Sequence, residues 1–110
     1  MRTEDLAILD DVPFLFWVKD EGGEYLWGNR AIARLAGEEV AGKTDRDLVW
    51  AQDADALQAA DRKVLESGNP CTLHESVGKS SQGPVTYSVC KWAGEFEGRR
   101  CSFGISFKIG

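Results

Sequence analysis

The stretch that most constrains this chain is Phe-Leu-Phe-Trp-Val-Lys-Asp, residues 14–20. Its aromatic and β-branched content makes it a strand. Successive strand side chains point to opposite faces, so this one carries apolar groups on both. A sheet built on it needs cover on both sides. Glu21-Gly22-Gly23 reads as a turn and Glu24–Asn29 as a second strand, so the two runs form a hairpin. The chain has 110 residues, enough for one core, which at this size takes roughly 65% of the unfolded surface out of water.

Upstream, Thr3–Asp11 reads as a short helix or turn carrying Leu6, Ile8 and Leu9, ended before Pro13. Downstream, Asn29 caps a helix with Ile32, Leu35 and Ala36 at helical spacing, stopped at Gly37. Residues 38–49 are turn-rich. Ala51–Glu66 reads as the longest helix, with Leu57, Ala60, Val64 and Leu65 on one stripe. Ser67–Pro70 breaks it. Strands follow at 71–79, 84–92 and 99–108, separated by turns at Ser80–Gly83 and Ala93–Gly98. The order is β-β-α-α-α-β-β-β. This is an α+β pattern: an antiparallel sheet with helices grouped on one side.

Five landmarks then fall in order: VPFLFWVKDEGGEYLWGN (12–29), NRAIARLAG (29–37), GKTDRDLV (42–49), VLESGNP (64–70) and GISFKIG (104–110). On these the chain resembles a PAS domain over nearly its whole length. The resemblance implies a five-stranded antiparallel sheet in order 2-1-5-4-3 with helices packed on one face. It implies residues 1–13 as an N-terminal cap segment and 14–110 as a single domain excised from a longer signalling protein. It also implies a sensory or interaction module coupled to a kinase, cyclase or DNA-binding output, as in two-component systems and transcription regulation. Lys108 and Gly110 stand where the family often ends in Asp and Thr.

Several function classes are set aside by the residues. The net charge of −5 and a single adjacent basic pair, Arg99-Arg100, argue against a nucleic-acid partner. No apolar run approaches the ~20 residues of a membrane span, and the acidic N-terminus lacks a signal-peptide pattern. A cytoplasmic location is expected, consistent with three scattered cysteines, Cys71, Cys90 and Cys101. No cofactor is expected. Light–oxygen–voltage relatives form a flavin adduct through a connector cysteine; Asp45 stands at that position, with Val49 and Ser106 in place of flavin-contacting glutamines. Family members that hold heme usually use a histidine on the long helix, and 51–66 has none; the sole His74 lies on the third strand. Cys71 and His74 are three apart and point to opposite faces, which disfavours a shared metal. Asp45 and Asp47 read as local, with Thr44 or Asp45 capping a helical turn, rather than as an acid–base pair, so no catalytic residue and no enzyme is expected.

The pocket depends on the register of the last two strands. If paired positions sum to 192, Val85, Tyr87 and Val89 share a face with Phe103, Ile105 and Phe107. The family landmarks favour 191, which turns Tyr87, Val89 and Lys91 inward with Ser102, Gly104 and Ser106, and sets Cys90 against Cys101 outside. Leu15, Trp17 and Lys19 then also face inward. A pocket for an unknown small ligand is expected from Trp17, Lys19, Trp27, Asp45, Tyr87, Val89, Lys91, Ser102, Gly104 and Ser106. Lys19 and Lys91 need partners; Glu75, Asp45 and Asp47 are candidates, and an anionic ligand such as a carboxylate is the alternative. Phe14, Phe16, Val18, Phe103, Ile105 and Phe107 face outward, too apolar for water. With Leu6, Ile8 and Leu9 they form the expected homodimer interface. The second reading is a module whose core is filled, by Trp17, Trp27 and Tyr87, and which serves only for dimerisation or docking.

Overall fold

The computed structural model describes all residues, Met1–Gly110. Five strands, β1 (Leu15–Asp20), β2 (Tyr25–Gly28), β3 (Cys71–Val77), β4 (Val85–Phe96) and β5 (Arg99–Lys108), form one antiparallel sheet in the order β2-β1-β5-β4-β3. Two helices, α1 (Arg30–Ala36) and α2 (Ala54–Ser67), and short 3₁₀ turns at Asp45–Asp47 and Ala51–Asp53 lie between β2 and β3. The expected helix from residue 51 therefore starts as a 3₁₀ turn and becomes α-helical at Ala54. No helix is long and apolar enough to cross a membrane.

Each boundary has a local cause. The Asp20 carboxylate accepts from the backbone N–H of Gly22 and Glu24, both at 2.9 Å, and closes the β1–β2 turn. Asn29 caps α1 by accepting from the Ile32 N–H, and Gly37 ends it in the left-handed region at φ 76°. A register shift between Val18 and Lys19 leaves Leu26 unpaired as a bulge. This corrects the expected position of Trp27. The bulge turns Tyr25 inward beside Lys19 and puts Trp27 opposite Val18 on the outer face, 6.0 Å from the Phe16 ring.

The β4–β5 register is also corrected. Tyr87 pairs with Lys108 and Val89 with Ser106, so the paired positions sum to 195 rather than 191 or 192. The turn is tight: Glu97 and Gly98 both have positive φ, 52° and 74°, as a two-residue type I′ hairpin requires. Ala93–Phe96, expected as loop, therefore extends β4. A shift of four keeps the parity of 191, so Tyr87, Val89 and Lys91 do face inward with Ser102, Gly104 and Ser106. Cys90, however, lies opposite Ile105, and Cys101 opposite Gly94.

Both faces of β1 are covered, as its composition demands. The inner core joins Leu15, Trp17 and Tyr25 to Ile32, Leu35, Leu57 and Val89. On the outer face Leu6, from a 3₁₀ segment at Thr3–Leu9, is fully buried with Phe16, Val18, Phe103, Phe96 and Cys101. The segment is tied down by the N-terminal ammonium to Glu95 and by Thr3 to Glu97. Leu6, Phe16, Val18 and Phe103 are thus covered by the chain itself rather than left for a partner. Leu9, Phe14 and Ile105 are half-buried, and Ile8 and Phe107 are 82% and 52% exposed.

Trp17 lies flat over Gly104, where any Cβ would overlap its indole ring. Gly104→Ala is expected to cost about 1–3 kcal/mol by forcing the indole off its seat, measured as a lower urea midpoint with an unchanged slope.

Candidate functional site

Two lysines on the inner face would each carry a large desolvation cost if unpaired. Lys19 on β1 and Lys91 on β4 are 2% and 1% exposed. The chain meets this with a continuous ion network. Lys19 Nζ donates to Asp45 Oδ2 and Asp61 Oδ2, both at 2.7 Å. Lys91 Nζ donates to Asp61 Oδ1 at 2.8 Å and to the Leu57 carbonyl at 3.2 Å. It also lies 2.8 Å from Glu75 Oε2, an ion contact without hydrogen-bond alignment. Asp45 Oδ1 accepts from the Tyr25 hydroxyl at 2.7 Å and the Trp50 indole N–H at 2.9 Å. The Lys19 ammonium also sits 4.7 Å from the Tyr25 ring centre.

Asp45 is therefore not a cap. Thr44 holds that position, and Asp47 closes the turn by accepting from the backbone N–H and hydroxyl of Thr44 in the open. Leu48 and Trp50 are buried, and Val49 between them is 40% exposed. Of the candidate partners, Asp45 and Glu75 meet the lysines and Asp47 does not. Asp61 and the two aromatic donors, Tyr25 and Trp50, are not among the residues the sequence pointed to. A signal for Asp61 exists: it falls four residues after Leu57 and three before Val64, inside the buried stripe of α2. A carboxylate there needs a buried cation.

The network sets the charge states. Burial would raise the Asp45 carboxyl, but the Lys19 ammonium and the bonds from Lys19, Tyr25 and Trp50 outweigh it and hold it below its ordinary value. Burial would lower the Lys19 ammonium, and Tyr25, Asp61 and Asp45 together hold it well above. Glu75 goes the other way: burial raises its carboxyl more than Lys91 lowers it. The signs give opposite pH dependences. The Asp45 contribution is present above 3.8 and is lost as pH falls through its lowered folded value. The Glu75 contribution is full below 4.5 and is lost as pH rises through its raised folded value. Urea melts from pH 4.5 to neutrality are therefore expected to show the wild type losing stability relative to Glu75→Gln. Parallel curves would contradict this.

Beside the network is a cavity of about 50 Å³ between the sheet and the helices, walled by Trp17, Tyr25, Trp50, Leu57, Tyr87 and Val89 with Glu75, Lys91 and Ser106. A second chamber of about 270 Å³, between β5, α1 and the β3–β4 loop, shares Leu15, Tyr87 and Ser106 with it. Gln82 and Lys108 join at 3.2 Å beside the outer chamber, and Ser81 donates from its backbone N–H to the Leu35 carbonyl and from its hydroxyl to that of Arg34. Three buried polar atoms of the inner lining have no hydrogen-bond partner in the protein: Trp17 Nε1, Ser106 Oγ and Glu75 Oε2. Of the expected pocket residues, Trp17, Lys19, Tyr87, Val89, Lys91 and Ser106 line this chamber. Asp45 lies behind Lys19. Gly104 lies under Trp17, and Ser102, buried on the same face, is outside the lining. Trp27 is on the opposite face.

Comparison with known proteins agrees with this architecture. The sequence matches the family described as the PAS fold over residues 9–98. No curated protein sequence matches it. The Vibrio cholerae VqmA dimer, of the LuxR-type receptors, is similar in structure at a TM-score of 0.83 and 18% identity, over 97% of this chain and 51% of that one. VqmA bound to DPO is similar at 0.83 and 18%, over 96% and 57%. The PAS domain of nitrogen regulation protein NR(II) from Vibrio parahaemolyticus gives 0.75 and 18%, over 96% and 97%. At these identities the likeness is one of fold, and the chain spans about half the length of the VqmA chains it matches.

Proposed function

The chain belongs to the PAS-fold family, and from that premise we propose that it is a sensory module of a signal-transduction protein, which detects a small molecule in its inner cavity and signals through a dimer. The observation that carries this is a pair of buried polar atoms, Trp17 Nε1 and Ser106 Oγ, unpartnered in the protein on the wall of a largely apolar chamber. Folded proteins pair nearly all such atoms, and a ligand is the partner this site lacks. That VqmA, with the same fold, binds DPO supports the reading. The lysines do not serve an anion here, because carboxylates already hold them. No catalytic role is assigned, and neither flavin nor heme is part of the proposal. The net charge of −5 supports a domain that makes no nucleic-acid contact of its own. Cytoplasmic placement belongs to the same proposal. Native mass spectrometry of the purified protein tests it: a bound small molecule is expected, released on denaturation.

The second reading, a filled dimerisation module, draws on the outer face. Ile8, Phe107 and Ile109 remain 82%, 52% and 53% exposed there and at its edge, with the Phe14 and Phe107 rings 4.9 Å apart. The two readings share the dimer and differ in the ligand. Phe107→Asp is expected to weaken self-association at least ~10-fold, followed by analytical ultracentrifugation. A wild type that stays monomeric at every concentration would remove the dimer from both readings.

A further inference from the structure

We infer that the outer chamber binds a small organic carboxylate, with Lys108 and Arg34 supplying positive charge and Ser106 a hydroxyl donor. The site lies outside the inner cavity of the sensory reading and does not rest on that reading.

Size and charge set the class. The chamber measures about 270 Å³, near the lower end of the roughly 300–1,000 Å³ of small-molecule sites. Its wall carries two cations, Arg34 on α1 and Lys108 on β5, and no carboxylate. Both cations are exposed, and neither is in an ion pair. Acids that flank the chamber in sequence are engaged elsewhere: Asp10 and Asp11, before Pro13, by Arg30, and Glu38, four residues after Arg34, by Lys43. This reverses the balance of the inner network, where Asp45, Asp61 and Glu75 outnumber two lysines.

The β3–β4 loop fixes the arrangement. Ser81 donates to the Leu35 and Arg34 carbonyls and so holds the loop on the end of α1. The next residue, Gln82, accepts from Lys108 Nζ at 3.2 Å. Two neighbouring loop residues thus link α1 to β5 at the chamber. An ammonium has three donors, so Lys108 keeps two for a ligand while Gln82 holds it.

The buried donor is Ser106. It lies two residues before Lys108 on the same face of β5, is 1% exposed, and its hydroxyl has no partner in the protein. Such positions are about 7 Å apart along a strand, within the reach of a lysine side chain, so one carboxylate can accept from both. A carboxylate only accepts, which matches a wall of donors. A hydroxyl donates once and accepts twice, so Ser106 can serve this ligand and still border the inner cavity. Phe14, Leu15 and Tyr87 give the rest of the ligand an apolar wall.

Titration of the whole chain with benzoate and with benzamide, its neutral counterpart, followed by protein-observed NMR, tests the inference. Benzoate is expected to bind at least ~10-fold tighter than benzamide, to weaken as salt rises, and to give saturating shifts at the Gln82 and Lys108 amides. Lys108→Gln and Arg34→Gln, both at exposed positions, are each expected to weaken benzoate about tenfold and leave benzamide unchanged. Ser106→Ala is expected to weaken benzoate about tenfold as well, and the amide spectrum of each variant reports that it is folded. No benzoate binding, equal affinity for the two probes, shifts centred away from these residues, or benzoate binding that survives both charge substitutions overturns the inference. The inner cavity is read separately, by the Trp17 indole signal, so either reading can fail without the other.

Discussion

Replacing Asp61 by alanine is expected to destabilise the domain by about 3–5 kcal/mol, the range for removing one partner from a buried ion pair. Asp61 is the only carboxylate that bridges the two ammoniums, with one oxygen on each. Without it Lys19 keeps Asp45, and Lys91 keeps only the Leu57 carbonyl and the poorly aligned Glu75. For a domain of this size the loss is about 10–20 °C in Tm. The loss should be nearly independent of salt, because buried pairs are weakly screened. Urea unfolding at low and high salt checks both statements. A loss under about 1 kcal/mol would mean that water reaches the lysines, and the inner face would then be open rather than enclosed. Asp47→Ala is the control: it removes an exposed cap and leaves the network intact.

The second large effect is expected at Asn29. Its side chain is fully buried and makes four hydrogen bonds to backbone. Oδ1 accepts from the N–H groups of Phe16 and Ile32, each at 3.2 Å. Nδ2 donates to the carbonyls of Leu9 at 3.0 Å and Phe14 at 2.9 Å. One amide thus ties the N-terminal segment, the start of β1 and the first turn of α1. Asn29→Ala removes the cap and leaves buried donors and acceptors without partners, a cost of about 3 kcal/mol. Asn29→Asp should keep the two accepted bonds and lose the two donated ones. Hydrogen exchange separates the cases: Ala is expected to expose the Phe16 and Ile32 amides, whereas Asp is expected to spare them and loosen the segment around Leu9. Equal exchange in both variants would contradict this division of labour.

Much of the fold was legible because local signals agreed with tertiary demands. The two-faced apolar run at 14–18 required cover on both sides, and it has α1 and α2 on one face and Leu6 on the other. Asn29 and Gly37 marked both ends of α1. What escaped was geometry that depends on a single residue. The bulge at Leu26 exchanged Trp27 for Tyr25 on the inner face, and nothing in Glu-Tyr-Leu-Trp-Gly announces it. The Glu97-Gly98 turn moved the β4–β5 register by four because Ala93–Phe96 could pair as well as loop. Inward lysines could be foreseen to need carboxylates, and Asp45 and Glu75 were among the choices. Asp61 does not stand out in the sequence because α2 carries other charges at exposed positions, and only its place between Leu57 and Val64 sets it apart.

The central claim is that the inner chamber is a binding site for a small molecule. Its most direct test is the indole N–H region of a ¹H–¹⁵N spectrum during titration with pyrazole. Four tryptophans give four such signals. The Trp17 N–H, unbonded on the chamber wall, is expected to move downfield and saturate. Trp27 and Trp92 pack on the outer face, so these two signals should stay nearly fixed. A Trp17 signal that does not move, or four signals that drift together without saturation, would contradict the claim and leave the filled dimerisation module as the account of this domain.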